Sequence, residues 1–272
     1  MSSHRVHRVV AGVVMALALV WSTAPAAGAA TPSHRPKPGP TYLALGDSYA
    51  AGLGAGEPKD ACGRTSWGYP TLLAKLARLD LTLAACSGAT MADVAGTQLA
   101  AVTDAADYVT VQVGGNDIGF VPVLSVCAQP DSDTACAGAL AQSNGYLSGG
   151  FSTAATALFA AVRARAPRAE LVVVGYPRFF SGTNCSAAVE FSAGEEKLLN
   201  KTISALNDRL AAAAHNAGAE FANPESAFNG HAWCSRLPWV NGPIEPVIAS
   251  FHPNLLGQAL GYVPAVGRKL LG

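Results

Sequence analysis

The chain has 272 residues, 50% of them hydrophobic and only 13% charged, and its 18 basic residues balance its 18 acidic ones. That balance argues against a nucleic-acid partner, which normally leaves a basic surplus. The length suits one α/β domain behind a leader, and no Pro/Ser-rich linker divides it.

The first residues read as a leader. His4, Arg5, His7 and Arg8 make a basic start, residues 9–20 are almost wholly apolar, and residues 24–30 are rich in small side chains. That is the layout of a secretory signal peptide over residues 1–30, with cleavage expected near Ala29 or Ala30. The apolar stretch falls short of the roughly 20 residues of a membrane-spanning helix, so no stable membrane anchor is expected. Residues 31–40 are proline-rich with no apolar periodicity and read as a disordered lead-in. Residues 41–272 remain as one domain of a secreted, extracellular protein, expected to be a monomer. Loss of Arg5 and Arg8 with the leader leaves that protein slightly acidic.

Strand-like and helix-like segments then alternate. Residues 42–45 are a short apolar run suited to a buried strand, ending at Gly46-Asp47-Ser48-Tyr49. Apolar residues at helical spacing predict a helix over 67–79, and a second strand over 81–85 ends at Cys86-Ser87-Gly88. A third strand over 108–113 ends at Gly114-Gly115-Asn116-Asp117. Residues 151–166 read as a helix that stops before Pro167, and 171–174 as a fourth strand. Ser192 with Glu195 forms a capping box that opens a long helix, which Gly218 can end. Residues 219–222 suit a fifth strand, and 254–270 a last helix with Pro264 as an interruption. The alternation predicts an α/β fold: a mostly parallel sheet of about five strands, with helices on both faces. Ser48, Gly88 and Asn116 would then share one edge of the sheet, where open α/β sheets bind ligands.

All six cysteines, Cys62, Cys86, Cys127, Cys136, Cys185 and Cys234, lie in the expected mature domain. An even count in an exported chain implies disulfides, and sequential pairing is the simplest: Cys62–Cys86, Cys127–Cys136 and Cys185–Cys234. The closed loops, of about 10, 25 and 50 residues, would each contribute roughly 3–4 kcal/mol by restricting the unfolded chain. No two cysteines show the short spacing of zinc ligands, so no metal is expected.

Ser48 needs a base to become a nucleophile, and histidine is the usual one. His4 and His7 leave with the leader, His34 lies in the lead-in, and His215 falls near a helix end, where a cation meets the dipole favourably. His231 and His252 remain open on position, with His252 favoured because it stands just before the last helix in a loop stiffened by Pro253. Acyl transfer also needs oxyanion donors, and the Ser48 and Gly88 N–H groups with the Asn116 amide form a credible set. Neither a phosphate-binding loop nor the Gly-x-Ser-x-Gly elbow is present, since Ala50 stands where the elbow's second glycine would.

Gly46-Asp47-Ser48-Tyr49, Gly88, Gly115-Asn116-Asp117 and His252-Pro253, in that order, resemble the four motif blocks of the SGNH (GDSL) hydrolases. Tyr176-Pro177-Arg178-Phe179, Gly230-His231 and the six-cysteine layout resemble the secreted actinobacterial lipase and esterase branch of that family. The resemblance implies a three-layer, flavodoxin-like α/β/α sandwich. It also implies Ser48 as nucleophile, His252 as base, and Ser48, Gly88 and Asn116 as the oxyanion hole.

One departure stands out. The family's acid usually lies three residues before the histidine, and here that residue is Ala249. A backbone carbonyl is the expected substitute, with Ser250 the nearest candidate and Glu245 a second possibility. Asp47 is expected to anchor its loop. The activity so implied is that of a secreted serine ester hydrolase, a lipase or carboxylesterase acting on acyl esters, chiefly lipids, without a cofactor. A phospholipase and an acetyl-carbohydrate esterase are the alternatives on the same fold, and a non-catalytic binding protein is the alternative of another class. Phe120, Phe180, Trp233, Trp239 and Phe251 are candidate walls for an acyl chain, although core packing is the favoured account of any single one of them.

Overall fold

A computed structural model describes residues 39–272, so the expected leader and all but the end of the lead-in lie outside the described residues. Five strands form the sheet: β1 (Thr41–Gly46), β2 (Asp80–Leu83), β3 (Tyr108–Gln112), β4 (Glu170–Val174) and β5 (Glu220–Ala222). They run in the order β2-β1-β3-β4-β5, and every pairing is parallel. Parallel strands need crossovers, and the crossover helices cover both faces, so the inner strands are mostly apolar, with Thr110 and Gln112 of β3 as buried polar exceptions. Leu43 to Leu45, Val109, Val111 and Val172 to Val174 are all buried.

The chain order reverses between β1 and β3, which makes a crevice at their carboxyl ends. Their register pairs Gly46 with Gln112, and β2 pairs along the other edge of β1 through Ala44 and Leu83. The loops after β1, β2 and β3 therefore open side by side, and they carry Ser48, Gly88 and Asn116.

The helices are α1 (Ser48–Ala51), α2 (Tyr69–Ala77), α3 (Met91–Asp93), α4 (Phe120–Cys127), α5 (Asp133–Ser148), α6 (Phe151–Arg165), α7 (Ala193–Asn216) and α8 (Val263–Leu270). Helices α2 and α8 pack on each other, while α5, α6 and α7 pack together as a second group. With the sheet these make a three-layer sandwich. Ser192 caps α7 in a reciprocal capping box with Glu195.

The last helical region departs from expectation. Pro264 does not interrupt it: a π-helical segment, Gly257–Tyr262, leads into α8, and Pro264 sits in the first turn of α8, where its missing N–H is harmless. Helices α4 and α5 have no counterpart in the sequence reading. In α5 the buried stripe is Cys136, Leu140, Ser143 and Leu147, correctly spaced but diluted by Ala, Gly and polar residues. The disulfides join Cys62 to Cys86, Cys127 to Cys136 and Cys185 to Cys234. Among the described residues no helix is long and apolar enough to cross a membrane.

Candidate active site

At the end of β1 the chain must turn closely past β3. Gly46 does so with φ 138°, and a side chain there would collide with the Gln112 carbonyl oxygen. Gln98, the last residue of a π-helical segment (Val94–Gln98), accepts from the Gly46 N–H at 2.7 Å and donates to the Gly46 carbonyl at 2.9 Å. Asp47 then caps α1, its Oδ1 accepting from the Tyr49 N–H at 3.0 Å. Its Oδ2 accepts from the Tyr176 hydroxyl at 2.6 Å. Burial pushes the Asp47 carboxyl up to about 7, and these hydrogen bonds offset the shift only in part.

Ser48 opens α1. Its Oγ lies 2.7 Å from His252 Nε2, and His252 Nδ1 lies 3.0 Å from the Ser250 carbonyl oxygen. A carbonyl only accepts, so Nδ1 carries the ring hydrogen and Nε2 presents its lone pair to the serine hydroxyl. Burial holds the imidazole down at about 4, despite the opposing hydrogen bond to Ser250, so it is neutral at pH 7. Glu245 is exposed and is not the Nδ1 partner. Ala249 contributes only its carbonyl, which accepts from Asn241 Nδ2 at 3.3 Å.

The loop around His252 is fixed from several directions. Phe251 has a left-handed backbone, φ 57°; its N–H donates to the Asn241 carbonyl, while the Asn241 N–H donates to the His252 carbonyl. The Tyr49 hydroxyl donates to the Phe251 carbonyl at 2.7 Å, and its ring packs 4.9 Å from the imidazole. Gln258, in the second π-helical segment, donates to the Tyr49 carbonyl at 3.2 Å and accepts from the Tyr69 N–H at 2.9 Å.

Three donors stand at the neighbouring strand ends. The N–H groups of Ser48 and Gly88 donate to no partner among the described residues. Asn116 Nδ2 gives one hydrogen to the Ala89 carbonyl at 3.0 Å, which fixes the amide and leaves its other hydrogen available. Gly88 has φ 83°, and a side chain there would touch nothing, so conformation rather than space selects glycine. Its loop is pinned on both sides, by Ser87 N–H to the Cys62 carbonyl and by Ala89 N–H to the Cys86 carbonyl.

The structure thus brings Ser48 and His252 together and separates His231 from them. His231 stacks on Trp239 with ring centroids 3.8 Å apart, and its Nδ1 pairs with the Leu237 carbonyl. Phe120, Phe180, Trp233, Trp239 and Phe251 are all buried in the core. A separate groove of 690 Å³ lies between α4 and α5, lined by Asp117, Ile118, Pro122, Val126 and Tyr146 among others; Ser48, Gly88, Asn116 and His252 do not line it. Gln98, Asn241 and Gln258 had no place in the sequence reading, and Tyr49 and Tyr176 entered it only as motif residues without a role. The one available signal was a lone glutamine within an otherwise small or apolar segment, at 98 and again at 258.

A neutral imidazole on a serine hydroxyl, at the switch point of a 2-1-3-4-5 sheet, is chemistry for acyl transfer, and it defines an α/β ester hydrolase. The chain belongs to the GDSL-like Lipase/Acylhydrolase family, which it matches over residues 44–260, and it is a carboxylic ester hydrolase. A lipase of Streptomyces rimosus is 35% identical to it over 232 residues, 83% of this chain and 85% of the relative. The crystal structure of an extracellular lipase from Streptomyces rimosus superposes with a TM-score of 0.80 at 34% identity, covering 85% of this chain and 99% of that one. A phospholipase A1 from Streptomyces albidoflavus NA297 superposes with a TM-score of 0.81 at 31% identity and the same coverage.

Proposed function

We propose that this is a secreted lipid-ester hydrolase in which Ser48 attacks the ester carbonyl and His252 handles the proton. The observation that carries the reading is the Ser48 Oγ to His252 Nε2 contact of 2.7 Å, made by a buried imidazole. In the first half-reaction the serine oxygen bonds to the acyl carbon while its proton passes to Nε2. The tetrahedral oxyanion is held by the Ser48 and Gly88 N–H groups and the Asn116 amide. Collapse of the intermediate breaks the ester C–O bond, and the Nε2 proton leaves with the alcohol. Water then repeats the sequence on the acyl-enzyme and releases the carboxylic acid. The Ser250 carbonyl accepts from Nδ1–H and stabilises the imidazolium formed at each step, the role usually given to a carboxylate.

Lipid esters are favoured by two things: the names of the relatives, and the largely apolar groove between α4 and α5, whose lining includes Asp117, the residue after Asn116. Residues 1–30 would direct export, 31–40 would form a lead-in, and 41–272 would be the catalytic domain, acting as a monomer. The three disulfides and the extracellular relative support secretion.

The test is hydrolysis of a p-nitrophenyl acyl series and of phosphatidylcholine by wild type and Ser48→Ala. The expected outcome is a loss of about 10³-fold or more in kcat for the variant on every substrate cleaved. Equal rates in variant and wild type would overturn the assignment of Ser48. Failure of wild type on acyl chains longer than acetate would overturn the lipid reading alone.

A further inference from the structure

The loop whose Ser250 carbonyl faces His252 also holds a set of aliphatic side chains out in water. Val247 is 69% exposed, Ile248 62% and Ile244 39%. This is not slack chain. Ser250 Oγ accepts from the Ile244 N–H at 3.0 Å and donates to the Ile244 carbonyl at 3.2 Å. Ala249 N–H donates to the Pro246 carbonyl, and Ser250 N–H donates to that of Val247. The backbone is closed on itself, so the three side chains are presented rather than merely left over.

Single exposed aliphatic residues are ordinary; three on one braced loop are less so. The surrounding sequence is also nearly free of charge, since Glu245 is the only formally charged residue between Leu237 and Gly267. Three side chains fall well short of the roughly 800 Å² per partner that a stable protein interface buries. They are enough to insert a few ångströms into a lipid surface, where affinity follows buried apolar area. The surface is continuous with the site through one residue: the Oγ of Ser250 braces the exposed loop, and its carbonyl accepts from His252.

We propose that Ile244, Val247 and Ile248 form a docking face for the surface of aggregated neutral or zwitterionic acyl esters, seating the enzyme with Ser48 at the lipid boundary. The inference rests on the lipid-ester reading above and adds to it where the enzyme meets its substrate. Charge-free aliphatic side chains match a surface without net charge, so partitioning should depend little on salt.

The experiment compares wild type with the Val247→Ser/Ile248→Ser double variant in binding to phosphatidylcholine vesicles and in kcat/KM on monomeric p-nitrophenyl butyrate. The expected result is vesicle partitioning weaker by roughly ten- to a hundred-fold, from two aliphatic side chains that no longer leave water. Butyrate hydrolysis and the thermal midpoint should be unchanged. A Val247→Trp variant supplies a direct signal, a blue shift of its added fluorescence when vesicles are present. Unchanged partitioning of the double variant, or no shift from the added tryptophan, overturns the docking face. A wild-type dimer that the double variant loses would assign the face to a second copy and overturn it too. If vesicles bind through this loop but long-chain esters are not cleaved, the docking face stands and the lipid-substrate reading fails.

Discussion

The hydroxyl of Tyr49 donates to the carbonyl of Phe251 at 2.7 Å, tying the residue after Ser48 to the residue before His252 across 202 positions of sequence. Phe251 is in the left-handed region, which a residue with a Cβ adopts at a cost of about 1 kcal/mol. Something must hold it there, because the same turn aims the imidazole. Its N–H bond to the Asn241 carbonyl holds it from one side and Tyr49 from the other. Tyr49 is held in turn by Gln258 at its carbonyl and by Asp47 at its N–H.

Tyr49→Phe removes this tether and keeps the ring beside the imidazole. The expected losses are about 1 kcal/mol of stability, the net worth of one hydrogen bond, and about tenfold in kcat, with KM unchanged. Urea unfolding together with steady-state hydrolysis of a p-nitrophenyl ester measures both. A rise in KM at constant kcat would mean that Tyr49 contacts substrate and does not position His252.

The acceptor for His252 Nδ1 is a main-chain carbonyl, so no side-chain substitution removes it directly. Glu245, the nearby carboxylate, is exposed. Glu245→Gln should leave kcat within about twofold, as most surface substitutions leave stability within ~0.5 kcal/mol. A variant that folds but loses turnover would make Glu245 the orienter in solution and displace Ser250.

What the sequence made legible was local. Gly46-Asp47-Ser48, Gly88 and Asn116 announce themselves because each follows a strand within a few residues, and strand ends on one sheet edge are neighbours by topology. Partners that meet only in the folded chain left no such trace: Tyr176 reaches Asp47 over 129 positions, and Gln98 reaches Gly46 over 52. The π-helical segment Val94–Gln98 was invisible because its wider winding breaks the apolar spacing that reveals a helix, whereas Gly257–Tyr262 fell inside the helix expected over 254–270 and only its winding was unforeseen. Ser250 is the intermediate case. A carbonyl has no sequence signature, and only the lack of an acid at Ala249 pointed to one.

The two buried titratable groups of the site act oppositely on stability. His252 sits at about 4 when folded against 6.5 when free, so its contribution is full above 6.5 and is lost as pH falls towards 4. Asp47 sits at about 7 against 3.8, so its contribution is full below 3.8 and is lost as pH rises through 7. Between these limits each slope approaches about 1.4 kcal/mol per pH unit, and in wild type the two largely cancel. His252→Gln should therefore unmask a stability that falls from about pH 4 to 7, and Asp47→Asn one that rises from about 4 to 6.5. Urea midpoints across that range test both, and profiles parallel to wild type would refute the linkage. The acid limb of kcat/KM in wild type should likewise lie near 4 and not near 6.5.

Disulfide removal separates stability from catalysis. The bridges span 9, 24 and 49 positions. Unfolded-chain entropy alone ranks their worth at about 3, 3.5 and 4 kcal/mol in that order. Activity should rank differently. Cys62–Cys86 adjoins the turn that presents the Gly88 N–H, with Ser87 bonded to the Cys62 carbonyl and Ala89 to that of Cys86. Loosening that turn would displace one of the proposed oxyanion donors, an interaction worth about 10²–10³ in rate when fully lost. Cys62→Ala/Cys86→Ala should thus lower kcat by about tenfold or more at a temperature where the protein remains folded. Cys185→Ala/Cys234→Ala should cost more stability and less kcat, because the hydrogen bonds that hold the Gly88 turn and the Asn116 amide involve neither cysteine. Thermal midpoints and kcat on both double variants decide the matter. If kcat instead followed the midpoints, the Cys62–Cys86 bridge would be a staple for the fold with no particular hold on the oxyanion turn.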